Sequence, residues 1–203
     1  MDKDIKNIIA PAALEINANY LKLGGKLVKT LFISSYPRYL ATGWFSPIVN
    51  MPDLLDVSIF INPMETPLAL KNLRKKAAQV QAQIMEAEEK GMVRNPVLET
   101  AIADIESLRD SLQQSRENMF TVGVYITLYA SSEQELAKLE SSVTTLLESR
   151  LAYTKVALFE QLDGFNATLP LCRDKLNITV PFNSSPVSSF FPFVSLNLTS
   201  EAG

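Results

Sequence analysis

The chain has 203 residues, 47% of them apolar and 20% charged, enough to bury a core and too apolar for wholesale disorder. Nineteen basic against 22 acidic residues leave a net charge of −3, so no global basic field draws in nucleic acid or anionic lipid. Histidine is absent and cysteine occurs once, which removes the commonest general base, the serine-triad base, thiolate metal clusters and any internal disulfide.

The start, Met1 to Lys6, mixes charges, and the apolar patch from Ile8 to Leu14 is broken by Pro11. A secretion signal needs a cleaner basic start and a longer apolar run, so a soluble, intracellular chain is expected. Tyr20–Leu23 and Lys26–Ile33 flank Gly24-Gly25, a β-hairpin signal, because glycine takes the positive φ of both turn positions. A short helix is expected over Thr42 to Met51, near Pro47. Asp56 to Asn62 alternates, with Val57, Ile59 and Ile61 on one side, and Asn62-Pro63 should end that strand.

Thr66-Pro67 opens a helix, Thr66 as cap and Pro67 at the first helical position. Its apolar seam is Leu70, Leu73, Ala77, Val80, Ile84 and Ala87, and Lys90-Gly91 is a stop signal. Asn95-Pro96 restarts a helix with the seam Leu98, Ala101, Ile105, Leu108, Leu112, Ser115 and Met119. Two heptad seams joined by a short loop predict an antiparallel helical hairpin. Val122, Val124, Ile126, Leu128 and Ala130 then alternate as a strand. Ser132 and Glu135 form a capping box for a helix buried through Leu136, Leu139, Val143, Leu146 and Leu147. Tyr153 to Leu158 is a closing strand. From Leu169 the chain carries Pro170, Pro181, Pro186 and Pro192 and reads as an extended segment leading out of the domain.

Residues 27–62 and 119–158 each give strand, helix, strand. The expected fold class is therefore α+β: a split βαβ (ferredoxin-like) sheet, an N-terminal β-hairpin and an antiparallel helical hairpin inserted at about 66–118. Residues 1–35 form the β-rich lead-in, 27–168 the α+β domain and 169–203 the extended tail.

A phosphate-binding loop requires Gly, four residues, Gly-Lys and Ser or Thr. The only Gly-Lys pair is Gly25-Lys26, with Tyr20 and Leu27 at the other two positions, so no nucleotide site of that kind is expected. The carboxylates Glu86, Glu88, Glu89, Asp104, Glu106 and Asp110 read as solvated helix faces, and no catalytic, cofactor or metal residue is assigned. Lys71, Arg74, Lys75 and Lys76 form a basic patch at the root of the hairpin. Trp44-Phe45 and Phe190, Phe191 and Phe193 form aromatic clusters suited to core packing or to docking. Direct contact of the basic patch with nucleic acid is the alternative use, a free-standing nucleic-acid-binding domain. A complete small enzyme is the third possibility, disfavoured by the missing histidine and phosphate loop.

Several segments, in order, resemble one family. They are Tyr36-Pro37-Arg38, Gly43-Trp44, Pro47-Ile48, Asp56 through Pro63, Leu73-Arg74-Lys75-Lys76, Leu98 through Ala101, Asp104 through Asp110, Thr168-Leu169-Pro170 and Ser189 through Phe193. Together they are similar to the N-terminal region of the conjugative-transfer ATPases of type IV secretion systems (VirB-type, TraC- and TrbE-like). The resemblance implies an ATPase domain, with ATP and Mg, beyond Gly203 in a full-length protein, or a variant lacking that motor. For this segment it implies no catalysis. It implies an assembly role: docking the motor at the cytoplasmic face of the inner membrane, against inner-membrane secretion proteins and its own C-terminal ATPase domain, in a full-length homo-oligomer.

Overall fold

The computed structural model describes residues 13–191. These fall into two compact units. The larger takes the residues up to Ile61, Val122–Val180 and those from Pro186 on; the smaller takes Asn62–Thr121 and Pro181–Ser185. Among the described residues no helix is long and apolar enough to cross a membrane.

In the larger unit β1 (Leu14–Ile16), β2 (Leu21–Leu23) and β3 (Lys26–Ser35) form an antiparallel meander. The Gly24-Gly25 turn joins β2 to β3, with Gly24 at φ +59°, as the glycine pair requires. A four-residue helix, α1 (Ser46–Val49), is shorter than the expected span and leads to β4 (Leu55–Met64). After the smaller unit the chain returns as β5 (Met119–Ala130), then α4 (Glu133–Glu148), β6 (Tyr153–Val156), α5 (Gln161–Thr168), β7 (Val180–Asn183) and α6 (Ser184–Ser188). The seven strands make one mostly antiparallel sheet in the order β1-β2-β3-β5-β4, with β6 also on β3 and β7 on β5. The overall class is therefore α+β.

Alternation decides which face each residue serves. On one face Leu31 and Ile126 are paired and buried, and Lys29 reaches Glu140 of α4 at 2.7 Å. Leu136, Leu139, Val143 and Leu147 of α4 are buried as the helical period requires, while Leu146 is half-buried. On the other face Thr30 and Thr127 are register partners whose hydroxyls meet at 2.8 Å, and Thr127 bonds on to Thr168 of α5, also at 2.8 Å. The Gln161 side chain acts as a surrogate strand for Thr30. It accepts the Thr30 N–H at 2.8 Å and donates to the Thr30 carbonyl at 3.3 Å. That position falls between the β2 and β6 pairings of β3, and the Thr30 carbonyl also accepts the Ala157 backbone N–H at 3.0 Å just past the end of β6. Gly164 permits the approach of α5, since a Cβ there would lie 2.9 Å from Thr30 Cβ.

The smaller unit is a helix pair, α2 (Thr66–Glu89) and α3 (Pro96–Gln113). Ala69 and Leu73 near the start of α2 share a cleft with Ile105 and Leu108 late in α3. Ile84 and Ala87 near the end of α2 meet Leu98 at the start of α3, so the two helices run antiparallel. Every expected seam residue of α2 is buried or half-buried, and so are Leu98, Ala101, Ile105, Leu108 and Leu112 of α3. Ala69, Leu112 and Met119 form the local core, with Met64, Leu70, Leu73 and Leu108 packed against it. The loop starts with two backbone bonds, Gly91 N–H to Glu88 and Met92 N–H to Ala87, closed by Gly91 at φ +65°. The Asn95 side chain caps α3 by accepting the Val97 N–H.

Several local expectations are corrected. The strand does not end at Asn62-Pro63 but runs to Met64. β4 lies at the end of the strand order, and an edge strand tolerates proline because its outward N–H has no ladder partner. Thr66 is not the cap of α2. The Glu65 carbonyl already receives the Ala69 N–H, so Thr66 is the first helical residue and no side chain caps the start. Ser115 is not part of the seam, because α3 ends at Gln113 and Ser115 is exposed at φ 54°. The capping box of α4 is shifted: Ser132 accepts the Glu135 N–H, but the Glu135 carboxylate accepts from Ser131. β6 stops at Val156 rather than Leu158. The stretch expected to be extended after Leu169 holds β7 and α6, while the expectations for residues 1–12 and 192–203 lie outside the described residues.

Candidate functional site

The hairpin root presents the four cations that the sequence singles out, all exposed, but it does not hold them together. Helical geometry turns the chain 100° per residue, which puts Lys71 and Lys75 on the side of α2 away from its seam and Arg74 on one flank of that side. Lys76 falls on the other flank, where it lines a cleft of about 280 Å³ with Asn72 and Asp104 at its polar rim and Leu73, Ile105, Leu108 and Met119 along its wall. Lys71, Arg74 and Lys75 make no ion pair with any described residue.

The aromatic residues behave differently. Trp44 is 3% exposed and Phe190 2%. Both pack edge-on with Tyr36, and Trp44 also with Phe45, at centroid separations of 5.1–5.8 Å. They are part of the core of the larger unit, and their rings present no surface to a partner. Phe191 is exposed at 62%, and Phe193 lies outside the described residues.

Three buried tyrosines among the described residues are held protonated. Burial first, then the hydrogen bond to Asp174, holds the Tyr125 hydroxyl far above the ordinary phenol range. Burial and the bond to Asp56 do the same for Tyr129, and burial does so for Tyr36. Such hydroxyls stay protonated, and those of Tyr125 and Tyr129 act as donors. Tyr125 is a clasp: it donates to Asp174 at 2.8 Å and accepts the Ile178 N–H at 3.1 Å, tying residues 174–178 to the sheet. Among the described residues no three of His, Cys, Asp and Glu are grouped to hold a metal ion. Cys172 is free and exposed.

The sequence reading did not anticipate the cleft, the Tyr125 clasp or the Gln161 surrogate strand. Asp104 and Asn72 carry no signal of their own, and the partners of Tyr125 and Thr30 lie 49 and 131 residues away. The sequence matches no family model, and no curated protein is significantly similar to it.

Proposed function

We propose that this chain is an assembly domain, the N-terminal interaction module of a type IV secretion (DNA conjugation) ATPase, peripheral at the cytoplasmic face of the inner membrane. The helix pair carries the proposal. β4 and β5 are neighbours in the sheet, and most such connections take a few residues, yet residues 65–118 stand between them. Those residues build a separate small core and leave Lys71, Arg74 and Lys75 exposed without an ion-pair partner among the described residues. A helix pair with unused charge on the side away from its seam serves another surface better than its own core.

The finer fold reading is a split βαβ, ferredoxin-like sheet. The order β6-β3-β5-β4 supports it, as does the packing of α1 against α4, the two crossover helices. ATP and Mg chemistry belongs, on this reading, to a motor domain of the full-length protein. The ordered resemblance from Tyr36 to Phe193 supports that assignment.

The test is genetic. Replacing residues 68–116 by a short turn should abolish recruitment of the full-length ATPase to the membrane and DNA transfer. Reversing the charges of Arg74, Lys75 and Lys76 should leave folding nearly intact, since exposed charges add little stability, while weakening recruitment. If the deletion preserves both recruitment and transfer, the proposal fails.

A further inference from the structure

α2 carries a second periodic stripe, on the side opposite its seam. Lys71, Lys75, Ala78, Ala82, Met85 and Glu89 recur at alternating spacings of four and three, and all six are exposed. Basic residues occupy the root half of the stripe, two alanines its middle, and Met85 with the glutamates the tip half. This order costs the isolated helix free energy. Lys71 and Lys75 are like charges one turn apart. Glu86, Glu88 and Glu89 sit at the negative end of the helix dipole, and α2 has no acidic residue in its first turn and no basic one in its last. Glu86 has only the exposed, and therefore weak, pair with Lys90. Lys71, Arg74 and Lys75, as noted, have no ion-pair partner within the described residues, and neither does Glu89.

A segregated charge pattern of this kind is complementary to itself when reversed. We propose that α2 pairs with α2 of a second copy of the chain, antiparallel, about a twofold axis level with Val80. In that register Lys71 faces Glu89 of the other copy, Arg74 faces Glu88 along the same flank, and Ala78 faces Ala82. Each contact occurs twice, as a twofold interface requires. The alanines let the helix axes approach to about 8 Å, the close end of the usual range. The Lys75 stem covers Met85. The charged contacts span about 27 Å of helix at 1.5 Å per residue. A parallel pairing would oppose lysine to lysine and glutamate to glutamate. This interface goes beyond the assembly role proposed above and stands without it.

The experiment is a charge exchange on the whole chain, read as molecular mass by sedimentation at high micromolar concentration in low salt. One variant carries Lys71→Glu and Arg74→Glu, the other Glu88→Lys and Glu89→Lys. All four sites are exposed, and circular dichroism confirms that the helices survive. The unaltered chain should dimerise, more weakly as salt rises. Each variant alone should be monomeric, because one then opposes acidic residues at both ends of the stripe and the other basic residues. The two mixed should form a heterodimer, and the four changes combined in one chain should restore the homodimer. A monomeric unaltered chain overturns the proposal. So does dimerisation of either variant alone at the unaltered level, or a mixture that stays monomeric.

Discussion

Leu112→Ala tests whether the helix pair is held by its own core. Leu112 is 2% exposed and lies with Ala69 and Met119 at the centre of the smaller unit's cluster. The substitution removes three carbons, roughly 2.4 kcal/mol at about 0.8 kcal/mol per buried methylene. A cavity cost adds to this, and the full range for such changes is about 2–5 kcal/mol. Met119 also lines the open cleft of about 280 Å³, so neighbours and water can partly fill the space. The expected loss is therefore about 2.5–3.5 kcal/mol, in the lower part of that range. Leu108 is only half-buried and itself lines the cleft, so Leu108→Ala should cost about 1–2 kcal/mol. Trp44 is the only tryptophan and sits in the larger unit, so its fluorescence does not report on the helix pair. Amide hydrogen exchange along α2 and α3 measures the local opening free energy directly. A loss below about 0.5 kcal/mol for both substitutions would refute the packing argument.

Gln161→Leu should leave the buried Thr30 N–H without a partner, while the Thr30 carbonyl keeps the Ala157 N–H, and should cost about 1–3 kcal/mol, read by urea unfolding through Trp44 fluorescence. An unchanged midpoint would mean that the surrogate strand is dispensable. Raising the pH should destabilise the fold above about pH 10. Tyr36, Tyr125 and Tyr129 have folded-state values raised above the ordinary 10.0, so the unfolded chain loses these protons first and binds fewer of them. Their contribution is fully present below pH 10 and disappears as pH rises through the folded values. Tyrosinate absorbance should accordingly show these three of the six tyrosines ionising only as the protein unfolds.

Several signals of local chemistry read true in the structure, although Thr66 does not cap α2 and the capping box of α4 is shifted to Ser131. The glycine pair makes the β2–β3 turn, Asn95-Pro96 starts α3, and Lys90-Gly91 ends α2. Each depends on backbone conformations or bonds within a few residues. The heptad seams are legible for the same reason, since helical period fixes which side chains share a face before any partner is known. The boundaries that moved depend on neighbours. Pro63 reads as a strand end in isolation but is accommodated because β4 is an edge strand.

The basic patch shows the limit for a site. Four cations in six residues read as one cluster, yet the helix turns Lys76 toward the cleft and away from Lys71 and Lys75. Trp44 and Phe190 are far apart in sequence, and chain folding alone brings their rings to 5.4 Å and buries them. By itself the sequence determined the helix pair, α4, the glycine turn and the alternating strands β4 and β5, because periodicity is a property of short stretches of chain, whereas α5, β7 and α6 were not legible in it. Only the tertiary structure decided the strand order, the double coverage of β5 and the partners of Thr30, Tyr125 and Lys29. Those depend on which distant segments meet, and burial then fixes the hydrogen bonds that each polar group must find.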